Sequence, residues 1–128
     1  MRLSILDESK RQESSIKSYL TILLTHMLKC KYQYDYPDKH SWRNSIYNSV
    51  SGIRIEFKGI NKGSLYKSFY AKTLNIDEIY DLARKRASTE TRLPLSYFPE
   101  ECEWNRFDLI NTDFIYNFIN EYGYGNEE

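Results

Sequence analysis

The chain has 128 residues, and its 18 lysines and arginines balance 18 aspartates and glutamates, which gives a formal net charge of zero. A hydrophobic content of 41% excludes a disordered chain, and the length fits one domain. The charge balance argues against a protein that coats DNA, because such proteins are strongly basic.

Residues 1–10 are charged and lack the apolar run of a signal peptide. No segment approaches the roughly 20 apolar residues that a membrane-spanning helix needs. We therefore expect a soluble cytoplasmic protein with no membrane partner, in which Cys30 and Cys102 stay reduced.

The first predicted element is a helix from about Leu6 to Lys31. Apolar side chains recur every three or four residues and form one stripe: Ile16, Leu20, Leu23, Met27 and Cys30. Tyr19, Leu24 and Leu28 flank this stripe, so the apolar arc covers roughly half of the circumference, and Ile22 lies outside even that arc. A helix with so wide an apolar arc must contact partners on two sides.

The second predicted helix follows a loop that contains Pro37, and Ser41 is its predicted N-cap. Its stripe consists of Trp42, Ile46, Val50, Ile53 and Phe57. Residues 53–57 also alternate with period two, as a strand does, and Gly52 costs a helix about 1 kcal/mol relative to alanine. We favour the helix because no second segment resembles a strand that could pair with it.

The remaining elements are also predicted to be helical. Ser64 is a plausible cap of a short helix with Leu65, Phe69 and Tyr70. Asn75 and Glu78 resemble a capping box. It opens a helix whose stripe is Ile76, Ile79, Tyr80, Ala83 and Ala87, and which Pro94 ends.

The last part of the chain is a corner between Pro94 and Pro99, one or two helical turns at 104–110, an apolar element at 113–119 and a loose tail at 119–128. The sequence thus predicts one all-α domain over residues 1–128. Its predicted architecture is a small helical bundle of about four helices, with a C-terminal corner that is bounded by two prolines.

The segment YDLARKRASTETRLPLSYFPEECEW, followed by LINTDF, resembles the C-terminal half of a bacterial family known as domain of unknown function 29. LLTHMLKCKYQ and SWRNSI resemble two further segments of that family in the same order, so the resemblance covers about residues 16–115. It implies an all-α fold with helix at 41–57. It supplies no catalytic residues, because the family has no established activity.

Three departures from the family pattern bear on the structure. Arg92 stands where the family tends to have glycine after a helix, so a left-handed turn there is less comfortable. Glu103 replaces a usual proline, which predicts a less rigid corner. Family members usually begin with a further N-terminal segment that has helices of its own, and this chain is expected to lack it.

The absent segment leads to a prediction about a partner. If the leading helices normally cover one side of the first helix, Ile22, Leu24 and Leu28 are exposed to solvent here. Burial of each of these side chains would contribute about 1.5–3 kcal/mol to stability. We predict that a protein partner or a second copy covers them together with the loop tyrosines Tyr32, Tyr34 and Tyr36. The alternative for the loop is ordinary surface tyrosine, since the 12 tyrosines also fit an AT-rich genome.

Cys102 is weighed as a reactive thiol and as part of a packed corner. Its neighbours Glu100, Glu101 and Glu103 disfavour a thiolate, which nucleophilic catalysis requires. The packing interpretation is favoured, in which the apolar residues of the corner close one end of the bundle: Leu95, Tyr97, Phe98 and Trp104. A recognition loop remains a lesser alternative.

A metal site is weighed because His26 and Cys30 share a helix face, and His40 and Cys102 could complete a four-ligand zinc set. The paired-ligand spacing of zinc sites is absent, so His26 is expected to be an ordinary half-buried histidine and Cys30 a small core residue. No metal and no cofactor are predicted. A Cys30–Cys102 disulfide is disfavoured by the expected compartment.

Nucleic-acid binding is the alternative function. Arg84, Lys85 and Arg86 are adjacent on a helix. Upstream basic and aromatic residues accompany them: Lys58, Lys62, Lys67, Lys72, Tyr66 and Tyr70. The competing interpretation is a solvated helix face that Asp77, Glu78 and Asp81 offset.

No phosphate-binding glycine loop, nucleophile elbow or acid pair with a partner base occurs, so no enzymatic activity is predicted. The sequence predicts a non-catalytic protein that binds another protein or itself. By analogy with small bacterial and phage proteins, it would be a regulatory, inhibitor or antitoxin-like, or accessory protein.

Overall fold

The computed structural model describes residues 5–33, 36, 38–60 and 75–125, and these ranges contain four α-helices. They are α1 (Ile5–Tyr32), α2 (His40–Ile60), α3 (Ile76–Thr91) and α4 (Thr112–Tyr122). Two 3₁₀ turns, Leu95–Tyr97 and Asp108–Ile110, lie between α3 and α4. The all-α bundle and the helical state of 53–57 are confirmed.

Within these ranges, no helix combines the length and the apolarity that crossing a lipid bilayer requires.

The longest helix, α1, packs against both α2 and α3. Its predicted stripe is fully buried: Ile16, Leu20, Leu23, Met27 and Cys30. Leu24 and Leu28 are also 0% exposed, and Ile22 is half-buried. The prediction of neighbours on two sides is confirmed. The prediction that Leu24 and Leu28 are bare is wrong, because the single chain itself covers both flanks of the arc.

Helices α1 and α2 make a close approach at Gly52, which is buried. A Cβ atom at this position would lie 2.4 Å from Cζ and 2.5 Å from Cε1 of Tyr19. The tyrosine ring on α1 therefore occupies the space that any larger residue at 52 would need. Packing of the Tyr19 ring therefore favours glycine at position 52, although glycine weakens the helix in which it lies.

Replacement of Gly52 by alanine is expected to lower the free energy of unfolding by about 1 kcal/mol, because overpacking outweighs the gain in helix propensity. In a Tyr19→Leu background, which lacks the ring atoms at 2.4–2.7 Å, the same change is expected to stabilise instead. Urea unfolding of the four proteins of this double-mutant cycle measures the effect. A stabilising Gly52→Ala in the wild type would contradict it.

The start of α2 differs from the prediction. The helix begins at His40, whose N–H donates to Oδ1 of Asp38 at 2.9 Å, and the C=O of Lys39 accepts from the N–H of Arg43 at 3.0 Å. Lys39 is thus the N-cap, and Ser41 lies inside the first turn. The predicted N-cap at Ser41 is wrong because Asp38 and Lys39 supply these contacts earlier.

Lys39 is a buried cation that connects three helix ends. It is only 2% exposed, and its Nζ donates to the C=O of Cys30 at 2.8 Å and to the C=O of Tyr122 at 3.1 Å. These carbonyls lie in the last turns of α1 and α4, where backbone acceptors have no partner within the helix. The ammonium group therefore satisfies acceptors at two helix C-termini from the start of a third helix.

The two ends of α3 follow the prediction. Oδ1 of Asn75 accepts from the backbone N–H groups of Asp77 and Glu78, so the N-cap is confirmed. At the other end Arg92 has φ 61° and ψ 21°, the left-handed conformation that favours glycine. The departure from the family pattern at Arg92 thus places a side chain in an unfavourable backbone region.

The C-terminal segment is more ordered than predicted. Helix α4 continues to Tyr122, Ile119 is fully buried, and the C=O of Gly123 accepts from Arg43 at 2.8 Å. The prediction of a loose tail from residue 119 is therefore wrong for 119–123, because α2 holds this end of the chain. The predicted short helix after Ser64 (Leu65, Phe69, Tyr70) and residues 126–128 lie outside the described residues.

Candidate functional site

The predicted partner surface does not form one continuous patch. Leu24 and Leu28 lie in the core. The hydroxyl of Tyr32 donates to Glu103, and the ring of Tyr36 stacks on Trp42 with centroids 4.7 Å apart. Tyr34 lies outside the described residues. Of the predicted set, the structure leaves Tyr36 exposed and Ile22 and Tyr32 half-buried.

Exposed tyrosines gather instead where side chains of α2 meet side chains of α4 and of the residue Tyr124. Tyr47 is 37%, Tyr116 57% and Tyr124 55% exposed. The rings of Tyr47 and Tyr116 are 6.3 Å apart, and the guanidinium of Arg43 lies 4.4 Å from the centroid of the Tyr124 ring. We call Arg43, Tyr47, Tyr116 and Tyr124 the α2–α4 aromatic surface.

Polar contacts fix the α2–α4 aromatic surface at both ends. Arg43 donates to the C=O of Gly123, and Nη1 of Arg54 donates to Oγ1 of Thr112 at 2.6 Å. The start of α2 thus meets the end of α4, and residue 54 of α2 meets the start of α4, so the two helices run antiparallel. Sequence reasoning missed this surface, although one signal was available: Tyr47 and Tyr116 both lie off the apolar stripes of their helices.

Two of the three cations in the predicted basic segment pair with acidic side chains of the same helix. Nζ of Lys85 lies 3.0 Å from a carboxylate oxygen of Asp81, and Nε of Arg86 lies 3.4 Å from one of Glu90. Nε of Arg84 donates to the C=O of Phe98 at 3.2 Å and so holds the corner. Lys62, Lys67, Lys72, Tyr66 and Tyr70, and the side chain of Lys58, lie outside the described residues.

The corner packs through part of the predicted set. Phe98 is buried and Trp104 is packed against the core, whereas Leu95 and Tyr97 are exposed. The packing interpretation is confirmed for Phe98 and Trp104 and wrong for Leu95 and Tyr97, because the 3₁₀ turn directs these two outward. The C=O of Pro99, which accepts from the hydroxyl of Tyr80 at 2.6 Å, joins the corner to α3.

Glu103 connects the corner to α1. Its carboxylate binds Nζ of Lys31 and accepts from the hydroxyl of Tyr32, both at the end of α1. The lower rigidity expected at this position stays a prediction. Proline would restrict the backbone at position 103, whereas the glutamate side chain connects this position to α1.

An open groove of about 440 Å³ lies between α3 and the corner. Its lining residues are Asp77, Tyr80, Glu100, Glu101 and Cys102. Burial raises the pKa of the Cys102 thiol, and the charges of Glu103 and Asp77 raise it further. The thiol donates to the C=O of Trp104 at 3.4 Å. This environment disfavours a thiolate nucleophile, in the direction that the acidic neighbours predict.

The residues that the sequence suggested as zinc ligands make other contacts in the structure. His26 contacts the backbone C=O of Ile22 through Nδ1 at 2.8 Å. Cys30 is fully buried, and burial raises the pKa of its thiol to about 12. Across the ranges that the structure describes, no three His, Cys, Asp or Glu side chains are placed to hold a metal ion.

His26 lies beside a charged cluster between α1 and α3. Nζ of Lys29 binds Glu90 at 2.9 Å and lies 5.3 Å from the ring centroid of Trp42. Burial acts to raise the pKa of Glu90, but Lys29 and Arg86 outweigh it and lower the pKa. Burial lowers the pKa of His26 below its ordinary value of 6.5.

The unfolding free energy is expected to rise with pH from 5 to 8. Because folding lowers the pKa of His26 from 6.5, the unfolded state binds more protons, so stability is lost as pH falls below that value. The contribution of Glu90 is lost only below 4.5. His26→Gln should flatten the profile in urea unfolding at each pH. An unchanged profile in His26→Gln would show that another group titrates.

A model of the family described as Domain of unknown function DUF29 matches residues 4–115 of the chain. The match covers α1, α2, α3, the corner and the first residues of α4. No curated protein matches the chain, and no solved structure matches it either.

Proposed function

Because the chain belongs to the DUF29 family, whose description assigns no activity, we propose from its own surface that it is a non-catalytic protein-interaction module. The observation that carries this proposal is the α2–α4 aromatic surface. Tyrosine and arginine are the residue types that contribute most at protein interfaces, because they combine large contact area with hydrogen-bonding capacity.

The surface is also pre-organised for binding. Arg43 is held by Gly123 and by the Tyr124 ring, and the Tyr47 ring is held beside Tyr116. Side chains fixed in this way lose little conformational freedom when a partner binds. Burial raises the pKa of Tyr47, the charges of Tyr116 and Tyr124 act in the same direction, and Arg43 acts against them.

In this proposal the chain acts in the cytoplasm as a small regulatory, inhibitor-like or accessory protein. Its partner is another protein or a second copy. The two cysteines are free thiols, which suits a reducing compartment. The raised pKa values of both thiols argue against thiolate chemistry at either cysteine.

The test replaces Tyr47 and Tyr116 with alanine together. We expect partner binding or self-association to weaken at least about tenfold, since interface tyrosines often contribute 2 kcal/mol or more. Tyr97→Ala is the matched control, because Tyr97 is 44% exposed but lies on the corner. Sedimentation velocity at tens of micromolar reports self-association, and affinity capture with the tagged protein reports other partners.

The proposal fails if the Tyr47→Ala/Tyr116→Ala protein keeps the same oligomeric state and the same captured proteins as the wild type. Nucleic-acid binding through Arg84, Lys85 and Arg86 is the alternative. Lys85→Ala/Arg86→Ala tests it while leaving Arg84, which holds the corner, in place. Loss of a salt-sensitive affinity for nucleic acid in that variant would favour the alternative.

A further inference from the structure

The side chain of Lys31 lies inside a cage of aromatic rings. Its Nζ is 5.5 Å from the ring centroid of Tyr32, 6.0 Å from that of Trp104 and 5.4 Å from that of Tyr122. The carboxylate of Glu103 completes the cage and binds the same nitrogen. Three rings and one carboxylate around an ammonium group are the elements with which proteins recognise ammonium ligands.

Contacts behind the rings hold each wall of the cage. Trp104 packs edge-to-face on Phe118 at 5.5 Å, and Phe118 also contacts Tyr122 at 5.0 Å. Tyr32 packs edge-to-face on Phe98 at 5.9 Å, and its hydroxyl donates to Glu103. Because none of these contacts involves Lys31, the walls should keep their arrangement when the lysine side chain is absent.

We propose that Tyr32, Trp104, Tyr122 and Glu103 form an ammonium-binding site, and that Lys31 is an internal ligand which an external alkylammonium group replaces. The rings attract the positive charge, and Glu103 accepts an N–H hydrogen bond. A primary ammonium group, as on a lysine side chain or a small amine, therefore fits better than a quaternary one. This inference does not depend on the α2–α4 aromatic surface.

Lys31 also explains how the site would be regulated. A ligand on the same chain competes at a high effective concentration, so a free amine binds the wild-type protein only weakly. Lys31 is 26% exposed and Glu103 27% exposed in their side chains, so the cage is open to solvent on one side. Exchange of ligands requires movement of the Lys31 side chain and no opening of the core.

The test compares Lys31→Ala with the wild type in n-butylammonium chloride, with sodium chloride at equal ionic strength as reference. We expect a saturable rise of about 2–4 °C in the thermal midpoint of Lys31→Ala and no saturable rise in the wild type. Tetramethylammonium chloride should act at least tenfold more weakly. Lys31→Ala/Glu103→Gln should lose the response to n-butylammonium.

Equal shifts in Lys31→Ala and the wild type would overturn the proposal, as would a shift that Glu103→Gln leaves unchanged. Tighter binding of tetramethylammonium would overturn the role of Glu103. If Lys31→Ala does not fold, NMR of the wild type decides. Ring currents in the cage should move the ε-methylene protons of Lys31 upfield of those of the exposed Lys85, and equal shifts would overturn the cage.

Discussion

Replacement of Lys39 by methionine is expected to lower the free energy of unfolding by about 3 kcal/mol. Lys39 is 2% exposed and donates to Cys30 at the end of α1 and to Tyr122 at the end of α4. Methionine fills a similar volume but donates no hydrogen bond. Both carbonyls would lose this donor, and the negative ends of two helix dipoles would lose their counter-charge.

Lys85→Met is the matched control for Lys39→Met. Lys85 pairs with Asp81 at the surface, with side chains 61% and 55% exposed, and loss of such a pair costs about 0.5 kcal/mol or less. Urea unfolding followed by circular dichroism measures both variants. Equal losses in the two would show that the helix-end contacts of Lys39 contribute nothing beyond an ordinary surface charge.

Leu24→Ala is expected to lower the unfolding free energy by about 3 kcal/mol, because the side chain is fully buried and its removal leaves a cavity. Leu82→Ala is the control, since Leu82 is 54% exposed on α3 and its truncation should cost about 0.5 kcal/mol or less. The measurement is urea unfolding at several protein concentrations.

The concentration series separates the two possible positions of Leu24. A large loss that is independent of protein concentration places Leu24 in the core of one chain. A loss of unfolding free energy that appears only at concentrations where the protein associates would place Leu24 in an interface, which would contradict the structure. Substitution of Leu24 therefore tests folding. Among the three α1 residues of the predicted partner surface, the half-buried Ile22 is the one at which a charged substitution would test partner binding.

Local features of the chain were predictable from the sequence. Asn75 caps α3 because its side chain bonds to backbone groups two and three residues away. The left-handed turn at Arg92 follows from the glycine that the family has there, and the α1 stripe follows from its spacing. In each case the physical cause lies within a few residues of the feature.

Contacts between distant segments were not predictable in the same way. The acceptors of Lys39 are backbone carbonyls, which every residue possesses, so no residue type marks them. Gly52 was taken as a weakness of the helix, whereas the Tyr19 ring occupies the space beside it. Leu24 and Leu28 were taken as bare because periodicity shows how wide an apolar arc is and not which helix covers it.

The α2–α4 aromatic surface, on which the proposed function rests, was also not predictable from the sequence. Tyr47 and Tyr116 are 69 positions apart, and only the antiparallel placement of α4 brings their rings together. The tyrosines of the predicted loop occupy alternate positions within five residues and were therefore visible as a group. Two of them, Tyr32 and Tyr36, make ring or hydroxyl contacts within the chain instead.

The link from Glu103 to the end of α1 has a consequence for the order of folding. It joins Tyr32 to a residue 71 positions later, and closing so long a segment costs entropy before the contact contributes. The α1–α2 pair, by contrast, is joined by a short connection and can form early. Glu103→Gln should therefore accelerate unfolding and leave the refolding rate nearly unchanged in stopped-flow experiments.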